Sequence, residues 1–258
     1  MNTLFRLDSK VAIVTGGNSG IGEGIAYGFA MAGATVVVAA RDQEKTARVT
    51  DHIKQKYGVP TLGIQADVSN ESSIKAMSEE TLSKFNRIDI LVNNAGVNIR
   101  KPPQDFSSAE WDEVMDVNLK GAFLCCQSVY AEMCKHGGKI INVGSITSIF
   151  GSAKTSAYAS SKGGIVQLTR SLAVAWASDQ IQVNAILPGW IDTPLTQGSR
   201  KTFPGLDHHV EHRCPAGRWG TPADFAGPAV FLASSASAFV TGETLLVDGG
   251  YAQSALIV

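Results

Sequence analysis

A glycine-rich turn between a buried strand and a helix constrains the fold of this chain more than any other stretch. Val11-Ala-Ile-Val14 is wholly apolar, which is typical of a strand covered on both faces in a parallel sheet. It leads into Thr15-Gly-Gly-Asn-Ser-Gly-Ile-Gly22 and then into a helical stretch that Gly33 ends. Backbone N–H groups and the helix dipole converge at such a turn, where glycine leaves room for a phosphate. The stretch therefore predicts a dinucleotide site.

Strands and helices alternate along the rest of the chain. The other predicted strands are Thr35 to Ala39, Thr61 to Gln65, Ile90 to Asn93, Lys139 to Val143, Ile181 to Ile186 and Thr244 to Val247. This order predicts an α/β fold, a Rossmann-like, doubly wound parallel sheet of about seven strands with helices on both faces. No linker or repeat divides the 258 residues, so we expect one domain over residues 1–258. The stretch at about 192–220 lacks sheet character and is expected to form a substrate lid.

Two helical segments carry particular expectations. One long helix is predicted from Ser108 to His136, with Trp111 and Phe123 among its packing residues. Asn118 lies within it, although asparagine is a poor helix former. A later helix is expected to begin near Thr221 and to bend at Pro228, because proline disrupts a helix interior.

The composition excludes several classes of protein. A formal net charge of −1 without runs of like charge gives no reason to expect binding to nucleic acid or an anionic membrane. No apolar run approaches the ~18 residues of a membrane span, and the N-terminus has no signal-peptide core. Four cysteines without CxxC spacing are typical of a reducing compartment. We therefore expect a soluble cytoplasmic protein.

Tyr158 and Lys162 stand one turn apart in a helix predicted from about Ala157 to Ala177. A free phenol titrates near 10 and is a poor base at neutral pH. A cation about 4 Å away, at an effective dielectric of about 20, favours phenolate by about 4 kcal/mol, or roughly three pK units. Lys162 is thus expected to bring the pKa of Tyr158 near 7, where it can exchange a proton with a substrate oxygen. The alternative is a surface pair at chance helical spacing.

Arg41 follows the second strand, where a doubly wound fold meets the adenosine ribose. An acidic residue at this point accepts the ribose hydroxyls of NAD, whereas an arginine accommodates the 2′-phosphate of NADP. Ala40 occupies the acid's position and Arg41 follows it, which favours NADP through a charge-assisted contact. The alternative is that Arg41 only opens the helix that Asp42 caps, in which case NAD remains open.

Several short motifs occur together in a fixed order. They are Thr15-Gly-Gly-Asn-Ser-Gly-Ile-Gly22, Asp67-Val68, Asn93-Asn-Ala-Gly96, Asn118, Ser145, Tyr158 with Lys162, Pro188-Gly189 and Val247-Asp-Gly-Gly250. With this set the sequence resembles the short-chain dehydrogenase/reductase family. The Asn98-Ile-Arg-Lys101 loop and the stretch from Cys214 to Pro222 look like its sugar-acid branch, which includes gluconate 5-dehydrogenase and 2-deoxygluconate 3-dehydrogenase.

The resemblance implies a role for each matched residue. Tyr158 would exchange the proton, Ser145 would hold the substrate oxygen, Lys162 would lower the Tyr158 pKa and bind the nicotinamide ribose, and Asn118 would hold a relay water. Gly16, Ser19, Gly20, Ile21 and Gly22 would line the pyrophosphate. Asp67 and Val68 would contact the adenine, Asn94 its ribose, and Ile191 with Thr193 the nicotinamide amide. The expected NADP(H) site also includes Asn18, Arg41, Ala95, Gly96, Pro188 and Gly189. The family further implies a homotetramer built on the helices Ser108 to His136 and Ala157 to Ala177.

The expected activity is interconversion of a secondary alcohol and a ketone with NADP(H), on a sugar acid or another small polar carbonyl compound. Alternatives are a 3-oxoacyl-carrier-protein reductase, a broad-range carbonyl reductase, an NAD-dependent enzyme and a cofactor-binding regulator without turnover. Arg100 or a lid cation could meet a substrate carboxylate, or these cations could be solvated. The lid histidines His208, His209 and His212 are not expected to bind a metal. The apolar end of the chain, residues 251–258, either frays or packs on a neighbouring subunit.

Overall fold

A parallel β-sheet forms the centre of the molecule. The structure is a computed structural model that describes residues 3–254. Its strands are β1 Val11–Thr15, β2 Thr35–Ala40, β3 Thr61–Gln65, β4 Ile90–Asn93, β5 Gly138–Val143, β6 Ile181–Pro188 and β7 Thr244–Val247. Within these residues the seven strands pair in parallel in the order β3-β2-β1-β4-β5-β6-β7. The strand order reverses between β1 and β4, where a crevice for ligands is expected at the carboxyl ends. The predicted fold class is confirmed.

Helices cover both faces of the sheet. They are α1 Gly20–Met31, α2 Gln43–Tyr57, α3 Glu71–Phe85, α4 Ser108–Met115, α5 Gly121–Met133, α6 Ser156–Trp176, α7 Pro194–Thr202, α8 Leu206–Arg213 and α9 Ala226–Ala233. Alternate residues of β1 point to opposite faces: Val14 packs in the core under α1, α2 and α9, and Ile13 in the core under α3, α5 and α6. Within residues 3–254, no helix combines the length and apolar character that crossing a membrane requires.

The segment predicted as one helix from Ser108 to His136 is interrupted. A five-residue π-helical turn, Asp116–Lys120, separates α4 from α5, and Asn118 lies buried within it. Trp111 and Phe123, which were expected to pack in the core, are exposed on the outer side of this segment. The sequence also predicted Val114, Val117 and Leu124 as packing residues, and these do pack: Val114 is buried, and Val117 and Leu124 pack against the core. The prediction was wrong for Trp111 and Phe123 alone.

The stretch at 192–220 forms two short helices, α7 and α8, rather than an irregular loop. After it, a short 3₁₀ turn, Pro222–Phe225, precedes α9. Pro228 is therefore the third residue of α9, in the first turn where its missing N–H breaks no helical hydrogen bond. The sequence predicted a bend at Pro228, whereas the structure has a junction between the 3₁₀ turn and α9 before this residue.

Asp89 joins the starts of three strands. Its carboxylate, only 4% exposed, accepts hydrogen bonds from the Val11 N–H (2.9 Å), Lys10 Nζ (3.1 Å) and Arg87 Nε (2.7 Å). Its own backbone N–H donates to the Val11 carbonyl, and its carbonyl accepts from the Lys139 N–H. Asp89 thus fixes β1, β4 and β5 at the end of the sheet opposite the crevice.

Candidate active site

A cleft of about 340 Å³ opens at the carboxyl ends of the strands, at the reversal of strand order. The β1–α1 turn, the ends of β2 to β6, Tyr158 and Lys162 of α6 and the start of α7 line it. Among the residues expected from the sequence, it gathers Gly16, Asn18, Ser19, Gly20, Ile21, Arg41, Asp67, Val68, Asn94, Ala95, Gly96, Ser145, Tyr158, Lys162, Pro188, Gly189, Ile191 and Thr193. Two expected residues, Gly22 and Asn118, do not line the cleft.

The β1–α1 turn has the geometry of an anion site. Gly16 and Gly20 both adopt positive φ, +62° and +55°, which favours glycine. A Cβ on Gly16 would lie 2.9 Å from Asn94 Nδ2 and 3.0 Å from Ala95 Cα, so the turn leaves no room for one. No side-chain hydrogen bond caps α1 at Ser19, which leaves the first backbone N–H groups for a ligand. This cradle fits the pyrophosphate of a dinucleotide cofactor.

Gly22 and Asn18 support the turn from behind. A Cβ on Gly22 would collide with Asn94 Nδ2 and the Gly16 carbonyl, so Gly22 permits close packing and does not face the cleft. The expectation that Gly22 lines the pyrophosphate was wrong, because its place inside α1 turns it toward Asn94. Asn18 does line the cleft, yet its Nδ2 donates to the Asp42 carbonyl (3.1 Å) and Thr46 Oγ1 (3.2 Å). Asn18 thereby ties the turn to the start of α2.

Arg41 lies exposed at the end of β2, beside Asp67 at the end of β3. Hydrogen bonds from Ser69 lower the pKa of Asp67, and the positive charge of Arg41 acts in the same direction. Asp42 caps α2 by accepting from the Lys45 N–H at 3.0 Å. Arg41 is among the residues that line the cleft.

Lys162 extends into the protein beside Tyr158. The lysine Nζ lies 5.7 Å from the centroid of the Tyr158 ring and donates to the Val143 carbonyl at 2.7 Å. Burial lowers the pKa of Lys162 to about 8. The two residues therefore share one side of α6, as the sequence predicted.

The electrostatic setting of Tyr158 differs from the expectation. Burial raises the pKa of Tyr158 above its usual value, while a hydrogen bond with Ser145 and the charge of Arg100 lower it in part. The prediction that Lys162 brings the pKa of Tyr158 toward 7 was wrong for the protein without cofactor. The Lys162 ammonium is directed at the Val143 carbonyl, and desolvation of the phenol outweighs the nearby charges. The pattern of residue types could not reveal this burial.

Ser145 follows β5 and begins a short 3₁₀ turn, Ile146–Ser148. Its Oγ accepts a hydrogen bond from the Thr147 N–H at 3.1 Å. This contact uses an acceptor site of the hydroxyl and leaves its hydrogen free to donate. Ser145 and Tyr158 both line the cleft, and the nearby Ser145 hydroxyl lowers the pKa of Tyr158 in part.

Asn118 lies behind the residues that line the cleft and does not line it. Its Nδ2 donates to the Val97 carbonyl and to Ser161 Oγ, both at 3.0 Å, and its Oδ1 accepts from the Val97 N–H at 2.8 Å. A Cβ on Gly96 would be 3.2 Å from Asn118 Oδ1 and 3.6 Å from Lys162 Nζ. Asn118 thus holds the loop after β4 close to Lys162, and both hydrogens of its amide are used within the protein.

The positive residues of the 192–220 stretch make contacts within the protein. Arg200 donates to Asp192 and to Asp207, both at 2.7 Å, and stacks on Trp219 with 3.9 Å between guanidinium carbon and ring centroid. Arg213 lies over the Tyr251 ring. The His208 and His212 rings stack, and the His209 ring nitrogen lies 3.4 Å from the Tyr251 hydroxyl.

Sequence reasoning missed part of the lining of the cleft. The missed residues are Ala39, Asp42, Ala66, Val97, Val117, Val143, Gly144, Pro194, Leu195 and Thr196, whereas the sequence already placed Ala40 at the adenosine ribose. Most are apolar or contribute backbone, so no chemical pattern marks them. Their one signal is position, because nearly all adjoin the carboxyl end of a predicted strand.

Comparison with known proteins places this geometry in a family. A family profile described as "Enoyl-(Acyl carrier protein) reductase" matches residues 16–252. The crystal structure of a short-chain type dehydrogenase/reductase from Mycobacterium marinum is 34% identical, with a TM-score of 0.91 over 96% of this chain and 97% of that one. The chain belongs to the short-chain dehydrogenase/reductase family. As a member of this family it is an oxidoreductase.

Other members of the short-chain dehydrogenase/reductase family match along nearly the whole chain. The 2-dehydro-3-deoxy-D-gluconate 5-dehydrogenase of Dickeya dadantii (strain 3937) is 42% identical over 254 residues, which cover 97% of this chain and 98% of that protein. A gluconate 5-dehydrogenase from Burkholderia cenocepacia J2315, crystallised in complex with NADP and tartrate, is 38% identical. Its TM-score is 0.92 over 98% of each chain.

Proposed function

We propose that the protein is an NADP(H)-dependent oxidoreductase that interconverts a secondary alcohol and a ketone of a small sugar acid, with Tyr158 as the acid/base. One observation carries the proposal: Ser145, Tyr158 and Lys162 together line one part of a cleft whose other part is a phosphate cradle. The dehydrogenases of sugar acids among its relatives support the substrate class.

The chain's own residues hold the substrate oxygen and move its proton. The Ser145 hydroxyl, with its hydrogen free, donates to the substrate oxygen. Tyr158 gives its proton to that oxygen in reduction and takes it back in oxidation. The Lys162 ammonium, held by the Val143 carbonyl beside the Tyr158 ring, would bind the nicotinamide ribose of the cofactor. When bound, the nicotinamide supplies or accepts the hydride.

The 192–220 stretch is proposed to act as the substrate lid. Thr193 and Thr196, at the start of α7, line the cleft, and Arg200 joins Asp192 and Asp207 within the stretch. A lid of this kind would exclude water from the reacting groups.

A substrate screen tests the proposed activity. We expect NADP(H)-linked absorbance changes with sugar acids or their keto forms, and weaker ones with β-keto esters and aryl ketones. Turnover confined to β-ketoacyl substrates would favour a 3-oxoacyl-carrier-protein reductase, and turnover of all ketones a broad-range carbonyl reductase. Cofactor binding without turnover of any compound would favour a regulator.

Arg41 is the proposed determinant of NADP(H) over NAD(H). Replacement of Arg41 by alanine is expected to weaken NADPH binding by about 10- to 100-fold, because it removes a charge-assisted contact with the 2′-phosphate. Binding of NADH, which lacks this phosphate, serves as the internal control and should change little. Fluorescence titration with both cofactors measures the effect. Tighter binding of NADH than NADPH by the unmodified protein would favour the NAD-dependent alternative.

Arg100 is the proposed contact for the substrate carboxylate. Its charge reaches Tyr158, and within residues 3–254 it has no ion pair, whereas the adjacent Lys101 is paired with Glu110 at 2.5 Å. The Arg100→Ala variant is expected to raise KM for sugar acids by about 10- to 100-fold, because a charge-assisted hydrogen bond is lost. KM for a neutral ketone should stay within twofold.

Lys101→Ala is the matched control for Arg100, since it removes a neighbouring cation that is already paired. Steady-state kinetics of both variants with one acidic and one neutral substrate separate the two effects. Equal KM values for sugar acids in Arg100→Ala and the unmodified enzyme would show that Arg100 does not meet the carboxylate.

The proposed assembly is a homotetramer in the cytoplasm, formed through α4, α5 and α6. Trp111, Phe123 and Val174 are exposed apolar residues on these helices, and Val174 is 84% exposed. Packing against other copies would remove this surface from water. Light scattering after size-exclusion chromatography tests the stoichiometry.

The alternatives for the end of the chain stay open, because residues 255–258 lie outside the described residues.

A further inference from the structure

Ser148 lies three residues after Ser145, at the end of the 3₁₀ turn that Ser145 begins. Its hydroxyl makes hydrogen bonds to two different segments. It donates to the Lys162 carbonyl at 2.7 Å and accepts from the Ser145 N–H at 3.2 Å. One hydroxyl therefore connects the backbone of the serine to the backbone of the lysine.

These two segments come from different parts of the chain. Ser145 comes from the end of β5, whereas Tyr158 and Lys162 come from the first two turns of α6. Lys162 Nζ donates to the Val143 carbonyl, which also belongs to β5. Lys162 is thus held to the β5 side at two points, by its side chain through Val143 and by its carbonyl through Ser148.

The hydroxyl of residue 148 is the group that matters. Ser145 is buried, and without the hydroxyl its N–H would lose its acceptor, while the Lys162 carbonyl would lose a donor. Unpaired buried polar groups are unfavourable, so the turn would move to find other partners. Such a movement would carry the Ser145 hydroxyl away from its place beside Tyr158.

We propose that Ser148 is a positioning residue that fixes the distance between Ser145 and the Tyr158–Lys162 pair. The proposal rests on the proposed roles of Ser145 and Tyr158 in proton exchange. Ser148 does not line the cleft, and its hydroxyl contacts only the backbone of Ser145 and Lys162, so we expect its influence to fall on turnover more than on cofactor binding. Displacement of a reacting group by about 1 Å can lower a rate by about 100-fold.

Kinetics of Ser148→Ala test the proposal. We expect kcat to fall by about 10- to 100-fold with the cofactor KM within twofold of the unmodified enzyme. The hydrogen bond with Ser145 lowers the pKa of Tyr158, so its loosening should move the acidic limb of the oxidation rate profile to higher pH. Ser148→Thr keeps the hydroxyl and should restore both kcat and the pH profile.

Ser152→Ala is the matched control, because Ser152 is exposed and its hydroxyl has no hydrogen-bond partner among residues 3–254. Hydrogen exchange of the peptide around residues 144–150 should accelerate in Ser148→Ala only. If Ser148→Ala does not fold, Ser148→Cys takes its place in the same measurements. The cysteine thiol has nearly the shape of the serine hydroxyl but forms weaker hydrogen bonds.

Several results would overturn the role of Ser148. These are an unchanged kcat in the folded Ala or Cys variant, a lowered kcat with an unmoved pH profile, or no recovery with Thr. Failure of the proposed function is a separate result, because the unmodified protein would then show no turnover, or Tyr158→Phe would remain active.

Discussion

Replacement of Tyr158 by phenylalanine is expected to lower kcat by roughly a thousandfold in both reaction directions. The ring and its packing remain, but the hydroxyl proposed to exchange the substrate proton in the cleft is lost. Lys162 keeps its hydrogen bond to Val143, because that contact does not involve the phenol. NADPH binding, measured by fluorescence titration, should therefore stay within a few-fold of the unmodified value.

Tyr57→Phe is the matched control for this substitution. Tyr57 ends α2, away from the cleft, and its hydroxyl has no hydrogen bond within residues 3–254. The control variant should retain full activity. A Tyr158→Phe enzyme with more than about a tenth of normal kcat would contradict the assignment of the acid/base, since positioned proton transfer contributes at least about 100-fold.

Replacement of Asp89 by alanine is expected to lower the free energy of unfolding by about 2–3 kcal/mol at neutral pH. The variant leaves the Val11 N–H without its acceptor and removes the carboxylate that Lys10 and Arg87 share. The side chains of Lys10 and Arg87 are 46% and 38% exposed, so water can solvate both cations after the carboxylate is removed. The destabilisation is therefore smaller than for a fully buried ion pair. Urea unfolding at a fixed protein concentration measures the difference.

The contribution of Asp89 depends on pH in a direction that its pKa sets. Burial would raise the pKa of this carboxyl, but hydrogen bonds from Arg87, Val11 and Lys10 outweigh it and hold the pKa below the usual 3.8. Because the pKa of Asp89 is lower in the folded state, its carboxylate stabilises the fold fully above about pH 3.8. This stabilisation is lost as the pH falls through the folded-state pKa. The difference between Asp89→Ala and the unmodified protein should therefore shrink on acidification.

Asp51→Ala provides the comparison for Asp89→Ala. Asp51 is exposed on α2 and has no ion pair among the described residues. Its replacement should change stability by less than about 0.5 kcal/mol. A similar loss in both variants would show that the buried carboxylate does not anchor the strands.

The sheet could be predicted because its strands are distinct in composition. Val11 to Val14 and the other central strands are apolar on both faces, and polar or glycine residues bound them. Helix starts were also readable where a side chain caps the helix. Asp42 accepts from the Lys45 N–H, as its position before α2 indicated.

The site was predictable where a residue acts through its own chemistry. Tyr158, Lys162 and Ser145 carry groups whose spacing has a chemical meaning, and the structure gathers them in the cleft. The turn at Asn118 was not predictable, because the side chain is satisfied by Val97 and Ser161, which are distant in sequence. Short-range patterns contain no information about such partners.

The same limit explains the errors about Gly22 and the pKa of Tyr158. Gly22 matches a cofactor motif, yet whether it faces ligand or protein depends on where Asn94 lies. The pKa of a phenol depends on its desolvation, which is a property of the assembled fold. A spacing of one helical turn between two side chains can be read from a sequence, whereas the packing that desolvates them cannot.

The π-helical turn between α4 and α5 adds one residue to a helical repeat. An extra residue shifts the phase of everything after it by about 100°. Val114 before the turn and Val129 after it are both buried, so the packing of α4 and α5 already includes this shift. Shortening the turn by one residue would rotate one helix relative to the other and move Asn118 from its place between Val97 and Ser161. Its length should consequently be less tolerant of change than the identity of its exposed side chains.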